Sequence, residues 1–505
     1  MKRPAAREAH GRWVRPDQET KRRKAWRSLG RRWPPAPGPR ATSEASERAR
    51  LPQPLVRRRM PSGRGAMEQP NITSDGNAVL TPRFWLVVAA AGVATGLLGD
   101  AMMTLLFHVQ YLAFGYHSGS YEHAVEQAPA LRRIISLLIA GAFGGTAWYL
   151  LRRHTKGERS EIDEAIWAGD GRLSARRCLG TSVISEVVIG MGASIGREAA
   201  PKLLGGMSAS LLATRAGLSV RQRRLLVACA GGAGLAAVYN VPLGGALLAA
   251  EVLYGSIALP VILPAVACSW IATATAWIYL PNRPTYADVP DYRFSGTLMT
   301  WALLAGPVIG LLAAAYIRLI GFVSHHRASG RAQIAAPVAA FGILGVIGIW
   351  FPQLFGNGKD MAHDAFTGVG SIGLLLALFA LKPLVTALCL GSGASGGLFT
   401  PTMSTGAVLG GGLGMAWSLA WPGSPSGAYA MIGAAAMIGA AMQAPLSGLL
   451  LVLELTHSGF AVMVPMMAAT ILATAVAFYV DGYSIYSARL PAKPGDTSNQ
   501  YGLEG

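Results

Sequence analysis

The chain has 505 residues, of which 52% are hydrophobic and only 14% are charged. A soluble protein of this size usually carries about 25% charged residues, so the composition excludes an ordinary soluble globular protein and indicates a polytopic membrane protein. The formal net charge is +18, but residues 1–66 hold 19 Lys or Arg against 5 Asp or Glu, so only about +4 belongs to the rest of the chain.

The N-terminal segment 1–80 is rich in Arg, Pro and Ser and contains no apolar run. We predict that it is disordered, and it lacks the hydrophobic stretch of a secretory signal peptide. Its basic charge would suit an arm that binds anionic lipid or nucleic acid. We favour the alternative that translation starts at Met67 and that nucleic acid is not a partner.

Apolar runs interrupted by Gly or Pro fill most of the remaining chain, which is typical of transporters with broken helices. We predict a first membrane half over residues 84–280, a polar linker over 281–297, a second half over 298–490 and a polar tail over 491–505. Arg83 precedes the first run, and Arg152 and Arg153 end the second. This distribution predicts that the N-terminus is cytoplasmic, and we expect the same of the C-terminus.

A polar stretch follows the second apolar run and reads KGERSEIDEAIWAGDGRLSARR. Within it, Ser160 is placed to cap a short helix from Glu161 to Ala168.

The next segment, GASIGREAAPKLLGG, extends from Gly192 to Gly206 and places Arg197 and Glu198 inside apolar sequence. An ionised side chain at the centre of a bilayer costs roughly 2.5–3.5 kcal/mol on insertion scales, so a carboxylate there needs a function or a partner. A helix that begins at Glu198 would point its free amides at an anion. We therefore interpret the segment as half of an anion site, with Glu198 as its occupant or gate.

An internal repeat relates the two halves at an offset of 203 residues. VPLGGALLAAEVLYG, from Val241 to Gly255, matches APLSGLLLVLELTHS, from Ala444 to Ser458. Each copy follows an Ala/Gly-rich helix, and a Gly-rich break lies further upstream in each half: GASIGREAAP in the first and GSGASGGLFTP in the second. Matching breaks in two halves predict a midplane site between inverted repeats.

Four other charged residues in apolar runs have a structural interpretation that we prefer. Glu251 and Glu454, which match in the repeat, are expected to make polar bonds near helix ends rather than to act directly in transport. Asp100 and Lys382 are expected to have a buried partner or to reach the membrane interface.

The sequence offers no pattern for metal or disulfide chemistry. The four cysteines are far apart and read as small buried side chains. His108 and His457 stand alone, and there is no HExxH motif and no GxSxG motif in a usable context, so we expect neither a metal, a cofactor nor an enzyme activity.

The motifs resemble those of the CLC family of chloride channels and proton-coupled chloride transporters. GREAAP, from Gly196 to Pro201, is similar to the family's GREGP element, and GGLFTP, from Gly396 to Pro401, is similar to its GxFxP element. SIYSARL, from Ser484 to Leu490, resembles the segment that supplies an anion-binding tyrosine. The resemblance covers about residues 85–490 and is greatest to the bacterial ClcB-type branch.

The resemblance implies an all-α membrane protein with two inverted halves, which forms a homodimer in the inner (plasma) membrane of a prokaryote and has one pore in each subunit. Glu198 would replace the family's gating glutamate, and the amides of Leu398 and Phe399 and the hydroxyl of Tyr486 would bind the anion. Partial charges of this kind hold chloride without trapping it. The full set of implied anion-binding residues is Arg197, Glu198, Gly397, Leu398, Phe399 and Tyr486.

Two departures from the family pattern bear on function. The serine-bearing GSGIP element is missing; Gly157 falls near the place of its serine, and Ser160 is only a loose substitute. The inner glutamate of proton-coupled exchangers is replaced by Val252, one residue after Glu251. Because valine cannot carry a proton, the sequence favours a passive chloride channel that Glu198 gates.

Three alternatives stay open at this stage. A proton/chloride exchanger could use Glu198 with water or another acid. If the protein were a cation-coupled solute transporter, the similarity of GGLFTP to the family motif would be a coincidence. Such a transporter would also require more Asn, Ser or acidic ligands in the core. An intramembrane enzyme lacks its expected motifs. Small anions other than chloride are also candidate substrates.

Overall fold

The computed structural model describes residues 79–490, together with the backbone of a short antiparallel pair in which β1 (Ala6–Arg7) faces β2 (Trp13–Val14). Residues 1–68 and 69–505 separate into two units. The predicted start at Met67, the tail 491–505 and nearly all of the predicted disordered segment 1–80 lie outside the described residues.

Helices make up the framework of residues 79–490. The first half contains α1 (Pro82–Phe114), α2 (Tyr121–Gln127), α3 (Ala130–His154), α4 (Ile162–Trp167), α5 (Ala175–Gly190), α6 (Ala199–Arg215), α7 (Val220–Tyr239), α8 (Pro242–Leu247), which continues as a π-helical segment (Leu248–Tyr254), and α9 (Leu259–Ala276). The second half contains α10 (Gly296–His325), α11 (Ala332–Ile347), α12 (Lys359–Thr367), α13 (Ile372–Gly391), α14 (Phe399–Ala420), α15 (Ser426–Met442), α16 (Pro445–Thr456) and α17 (Met463–Val480). Three-residue 3₁₀ turns lie at Pro352–Leu354, Phe460–Val462 and Ser487–Arg489.

Six helical stretches in the described part of the chain are long and apolar enough to cross a membrane: α1, α3, α9, α10, α13 and Phe460–Val480. Their outer faces carry large apolar side chains, such as Leu86 and Leu112, which are 73% and 74% exposed. Such exposure would be costly in water, whereas in a bilayer these side chains meet hydrocarbon. The protein is therefore a multi-pass helical membrane protein.

The two halves pack their helices in matching ways. In the first half α6 packs on α7, and in the second α14 packs on α15. Every residue of 225–239 and of 427–442 is buried. These stretches are rich in Ala and Gly, and small side chains let helix backbones approach closely where no hydrophobic force drives helices together. The predicted fold, two inverted halves with broken helices, is confirmed.

The paired acids of the repeat join the halves. Glu251 accepts hydrogen bonds from the Ser447 amide and hydroxyl, both at 2.7 Å, and from the Leu446 amide at 3.3 Å. Glu454 accepts from the amides of Leu243 at 3.0 Å and Gly244 at 2.5 Å. Each acid thus binds orphan amides in the first turn of the other half's helix, which is the structural bonding predicted for both.

Two other expectations for buried polar residues have different outcomes. Lys382 is fully buried, and its Nζ donates to Ser194 Oγ at 2.8 Å and to the Gly356 carbonyl at 2.9 Å, so the predicted buried partners exist. For Asp100, the buried partner that was one of the two expected arrangements is not found among the described residues. Asp100 is buried, yet neither carboxyl oxygen has a hydrogen-bond partner among the described residues.

The predicted cap of the short polar helix was wrong. The helix α4 starts at Ile162, its N-cap is Glu161, and no side chain caps it. Ser160 lies one position too early, and its hydroxyl instead accepts a hydrogen bond from Arg177 Nε at 3.1 Å. Because the helix begins one residue later than predicted, the N-cap position falls on Glu161 and not on the serine.

Candidate functional site: two helix breaks around Glu198

The two Gly-rich breaks meet in space. Gly196 and Gly397 form an isolated antiparallel bridge, in which the Gly196 amide donates to the Gly397 carbonyl at 2.8 Å and the reverse bond is 2.7 Å. A Cβ atom on either glycine would collide with the carboxyl group of Glu198. Glycine at both positions therefore makes room for the acid between the breaks.

Glu198 is the N-cap residue of α6, but its side chain does not cap that helix. It instead accepts hydrogen bonds from the second half. Its Oε1 accepts from the Phe399 amide at 2.8 Å and from the Thr400 amide at 3.4 Å, both at the start of α14. The carboxyl group is buried at 3% residue exposure. A carboxylate at a helix N-terminus takes the position that a bound anion would take, because both satisfy the same amides and the helix dipole.

Hydroxyl groups complete the surroundings of the carboxyl group. Thr400 Oγ1 donates to Glu198 Oε2 at 3.1 Å, and the Tyr239 hydroxyl lies 3.4 Å from the same oxygen and 2.7 Å from Thr400 Oγ1. Asn357 Nδ2 donates to the Tyr239 hydroxyl at 3.2 Å. With Tyr239 donating to Thr400, every donor in this chain points toward the carboxylate, which suits an ionised acid.

Two cavities approach Glu198. The Tyr486 cavity, of about 430 Å³, is lined by Glu198, Leu398, Tyr486, Ser160 and Lys202 among others. The Arg197 cavity, of about 740 Å³, is lined by Arg197, Tyr239, Asn357, Arg283 and Lys359 among others. Glu198 lines the first cavity and its partner Tyr239, 3.4 Å away, lines the second, so the contact between these two side chains links the cavities.

The predicted site residues divide between these cavities. Glu198, Gly397, Leu398, Tyr486 and Ser160 all line the Tyr486 cavity, and the Phe399 amide binds Glu198. Arg197 lies apart from them: it lines the other cavity, and its guanidinium carbon is 5.1 Å from the centre of the Tyr239 ring. Arg197 precedes the N-cap residue Glu198 and lies in the turn before α6, and the two side chains point to different sides.

Sequence reasoning missed the hydroxyl partners. Thr400 was inside the GGLFTP motif, where a hydroxyl next to an expected anion site was a usable signal. Tyr239 and Asn357 are 161 and 43 residues from Thr400 in the chain and carry no motif, so only the fold brings them to it.

The position of the missing inner acid is occupied by Val252, which is half-buried in the π-helical segment. The neighbouring acid, Glu251, accepts hydrogen bonds from Leu446 and Ser447 in the other half.

The described part of the chain has no group of three or more His, Cys, Asp or Glu side chains arranged to hold a metal ion. The four cysteines are all free and buried.

The chain is similar to known proteins over most of its length. A ClcB-like chloride channel protein of Ralstonia nicotianae is 30% identical over 423 residues, which are 81% of this chain and 97% of that one. The H(+)/Cl(-) exchange transporter ClcA of Citrobacter koseri is 28% identical over 419 residues, 80% of this chain and 87% of the relative.

Solved structures share the fold. The crystal structure of a slow cyanobacterial Cl-/H+ antiporter superposes with a TM-score of 0.70 at 21% identity and covers 81% of this chain and 97% of that one. The family model named voltage gated chloride channel matches residues 135–478, a range that contains both helix breaks and the repeated acids. The chain belongs to the voltage gated chloride channel (CLC) family.

Proposed function

We propose that the protein exchanges chloride for protons across the bacterial inner membrane, with Glu198 as the group that both gates the anion path and carries the proton. The observation that carries the proposal is the hydrogen bond from the Phe399 amide to the Glu198 carboxylate, which lines the Tyr486 cavity and contacts Tyr239 in the lining of the Arg197 cavity. Chloride needs the same amide, so the acid and the anion compete for it. Protonation weakens the hold of the amides on the carboxyl group and releases the path.

The relatives support exchange over the passive channel that Val252 favours. Curated relatives 28% and 29% identical over about four fifths of the chain are named H(+)/Cl(-) exchange transporters. Glu161 and Asp163 line the Tyr486 cavity and could pass protons to Glu198 through water, which would replace the missing inner glutamate. A passive chloride channel stays the second candidate, because Val252 cannot titrate and Glu251 is bound to Ser447.

The proposal includes the orientation of the chain in the membrane and its assembly into a dimer. Arg152 ends α3 and lines the Tyr486 cavity, and basic residues are enriched on the cytoplasmic side of membrane proteins. We infer that the Tyr486 cavity opens to the cytoplasm, that both termini lie there, and that two chains form a homodimer with one path each. Chloride, with other small anions as competitors, is the proposed substrate, and the proposal requires no cofactor.

Proteoliposomes test the proposal. With an outward chloride gradient and a potassium ionophore to clamp the voltage, the wild type should drive protons uphill as chloride leaves. Glu198→Ala should keep chloride flux and reduce proton movement to background, since the carboxyl group that accepts from the Phe399 and Thr400 amides is gone. Chloride flux without uphill proton movement in the wild type would establish the passive channel instead. Unchanged proton coupling in Glu198→Ala would remove Glu198 from the gate.

A further inference from the structure

The loop before α4 lacks the serine-bearing GSGIP element, to which the family resemblance assigns an anion ligand. Gly157 has no side chain and adopts a left-handed backbone, with φ of 82°. The Ser160 hydroxyl accepts a hydrogen bond from Arg177 Nε, and Arg177 in turn donates to the Thr155 carbonyl at 2.8 Å. The Ser160 hydroxyl is therefore engaged within its own loop, which directs the search for a further anion ligand beside Tyr486 to the other elements that line the cavity.

Lys202 is a cationic side chain in the lining of the Tyr486 cavity, close to both Glu198 and Tyr486. It lies four residues after Glu198 on α6, and its amide donates to the Glu198 carbonyl at 3.2 Å, so the two side chains share one face of the helix. Lys202 and Glu198 line the same cavity of about 430 Å³. The Lys202 ammonium lies 4.4 Å from the centre of the Tyr486 ring, which also lines that cavity.

The Lys202 ammonium has no ion-pair partner among residues 79–490, so its charge is not neutralised by a neighbouring carboxylate. No carboxylate lies within ion-pair distance of Lys202 among residues 79–490, where ion pairs are found for Arg159, Arg172, Arg223 and Arg318. The Tyr486 ring face attracts the cation through its quadrupole but does not neutralise it. A half-buried ammonium that lacks a counter-ion attracts an anion into the cavity, and cationic side chains are a known device of anion pores.

We propose that Lys202 is an anion-binding residue on the Tyr486 side of Glu198, a charged replacement for the missing serine. This inference rests on the proposed chloride transport and identifies the ligand of its second anion position. Glu161 and Asp163, from the loop and α4, line the same cavity and offset the field of the ammonium, so the anion is held without being trapped. A point charge recognises an anion mainly by its charge, so chloride, bromide and nitrate should bind with similar affinity.

Chloride titration calorimetry on the purified full-length protein, in a chloride-free gluconate buffer, tests the inference. Lys202→Met should raise the chloride Kd about tenfold, a change of about 1.4 kcal/mol, whereas Lys202→Arg keeps the charge and should stay within about threefold. Arg215→Met is the matched control: Arg215 is an exposed cation in the last turn of the same helix and lies outside the lining of both cavities, so its Kd should not change.

A second neutral variant, Lys202→Gln, keeps the test decisive if Lys202→Met does not fold. The inference is overturned if the wild type binds and transports chloride while the neutral variants that fold bind it with the wild-type Kd. Failure of the proposed function has a different signature, since the wild type itself would then neither bind chloride nor move it in proteoliposomes. Equal loss in Lys202→Met and Lys202→Arg would also contradict a charge effect and would indicate a packing role on the Tyr486 ring.

Discussion

At the scale of single residues, the hydroxyl chain around Glu198 should control how firmly the acid occupies the proposed anion position. Tyr239 donates in this chain and receives a bond from Asn357. Tyr239→Phe should weaken the hold on the carboxylate by roughly 1 kcal/mol and lower the chloride Kd about fivefold, because chloride competes with a less stable occupant. Calorimetric titration with chloride at a pH where Glu198 is ionised measures this.

Tyr286→Phe is the control for that substitution. Tyr286 is fully buried like Tyr239, but its hydroxyl has no hydrogen-bond partner among the described residues. Its removal should leave the chloride Kd unchanged. Equal shifts in the two variants would mean that the bonds of Tyr239 do not act on Glu198.

Glu122 lies on α2, outside the membrane-spanning helices, and lines the Arg197 cavity. We expect it to make the stability of the folded protein depend on pH. Burial, followed by the nearby carboxylates of Asp364, Asp360 and Glu126, raises its pKa from the ordinary 4.5 to about 8. The folded protein thus holds a proton that the unfolded chain releases near pH 4.5. Between these values the folded state binds more protons, so stability should fall as pH rises from about 4.5 to about 8.

The amide variant isolates this contribution. In thermal unfolding between pH 5 and pH 8.5, Glu122→Gln should lose less of its Tm with rising pH than the wild type. Glu126→Gln, an exposed acid on the same helix, should keep nearly the full wild-type slope. A wild-type slope in Glu122→Gln would show that Glu122 does not hold the proton.

At the scale of helices, the repeated acids hold the halves together. Glu454→Ala would leave the first-turn amides of Leu243 and Gly244 without their carboxylate, which should cost about 2–3 kcal/mol of stability. The transport rate per folded molecule should change little, because neither amide belongs to the Glu198 site. Thermal unfolding in detergent and chloride flux in liposomes measure the two effects.

Glu251→Ala is the internal comparison, since it removes the symmetric cap on Leu446 and Ser447. Similar losses of stability in the two variants would fit their common geometry. If either variant kept a wild-type Tm but lost proton-coupled transport, that acid would act in transport and the structural interpretation would be wrong.

At the scale of the whole molecule, the basic N-terminal segment should be dispensable for transport. The segment before Met67 carries most of the net charge, and the family match begins at residue 135. A protein that starts at Met67 should insert, fold and exchange chloride at the rate of the full chain, as measured by flux in liposomes of neutral and of anionic lipid. A loss confined to anionic vesicles would indicate a lipid-binding arm instead.

The membrane helices, the two motifs and the internal repeat could be predicted from the sequence. The apolar runs 84–115 and 134–151 predict α1 and α3 to within about four residues at each end, because a segment that crosses hydrocarbon has to be long and apolar. Glu198 and GGLFTP were recognisable because a charge and glycines stand out in apolar sequence, and the matched Pro-Leu-x-Gly strings exposed the duplication. These features depend on neighbouring residues alone.

Only the tertiary structure decided what surrounds Glu198. Its partners Phe399 and Thr400 are 201 and 202 residues away in the chain, and Tyr239 reaches it from a third segment. The separation of Arg197 from Glu198, the position of Lys202 over Tyr486 and the mutual caps of Glu251 and Glu454 likewise depend on how the halves meet. Composition and periodicity determine that a helix forms and that it can cross a bilayer. The direction of a side chain toward a distant helix end is set by packing between the two halves.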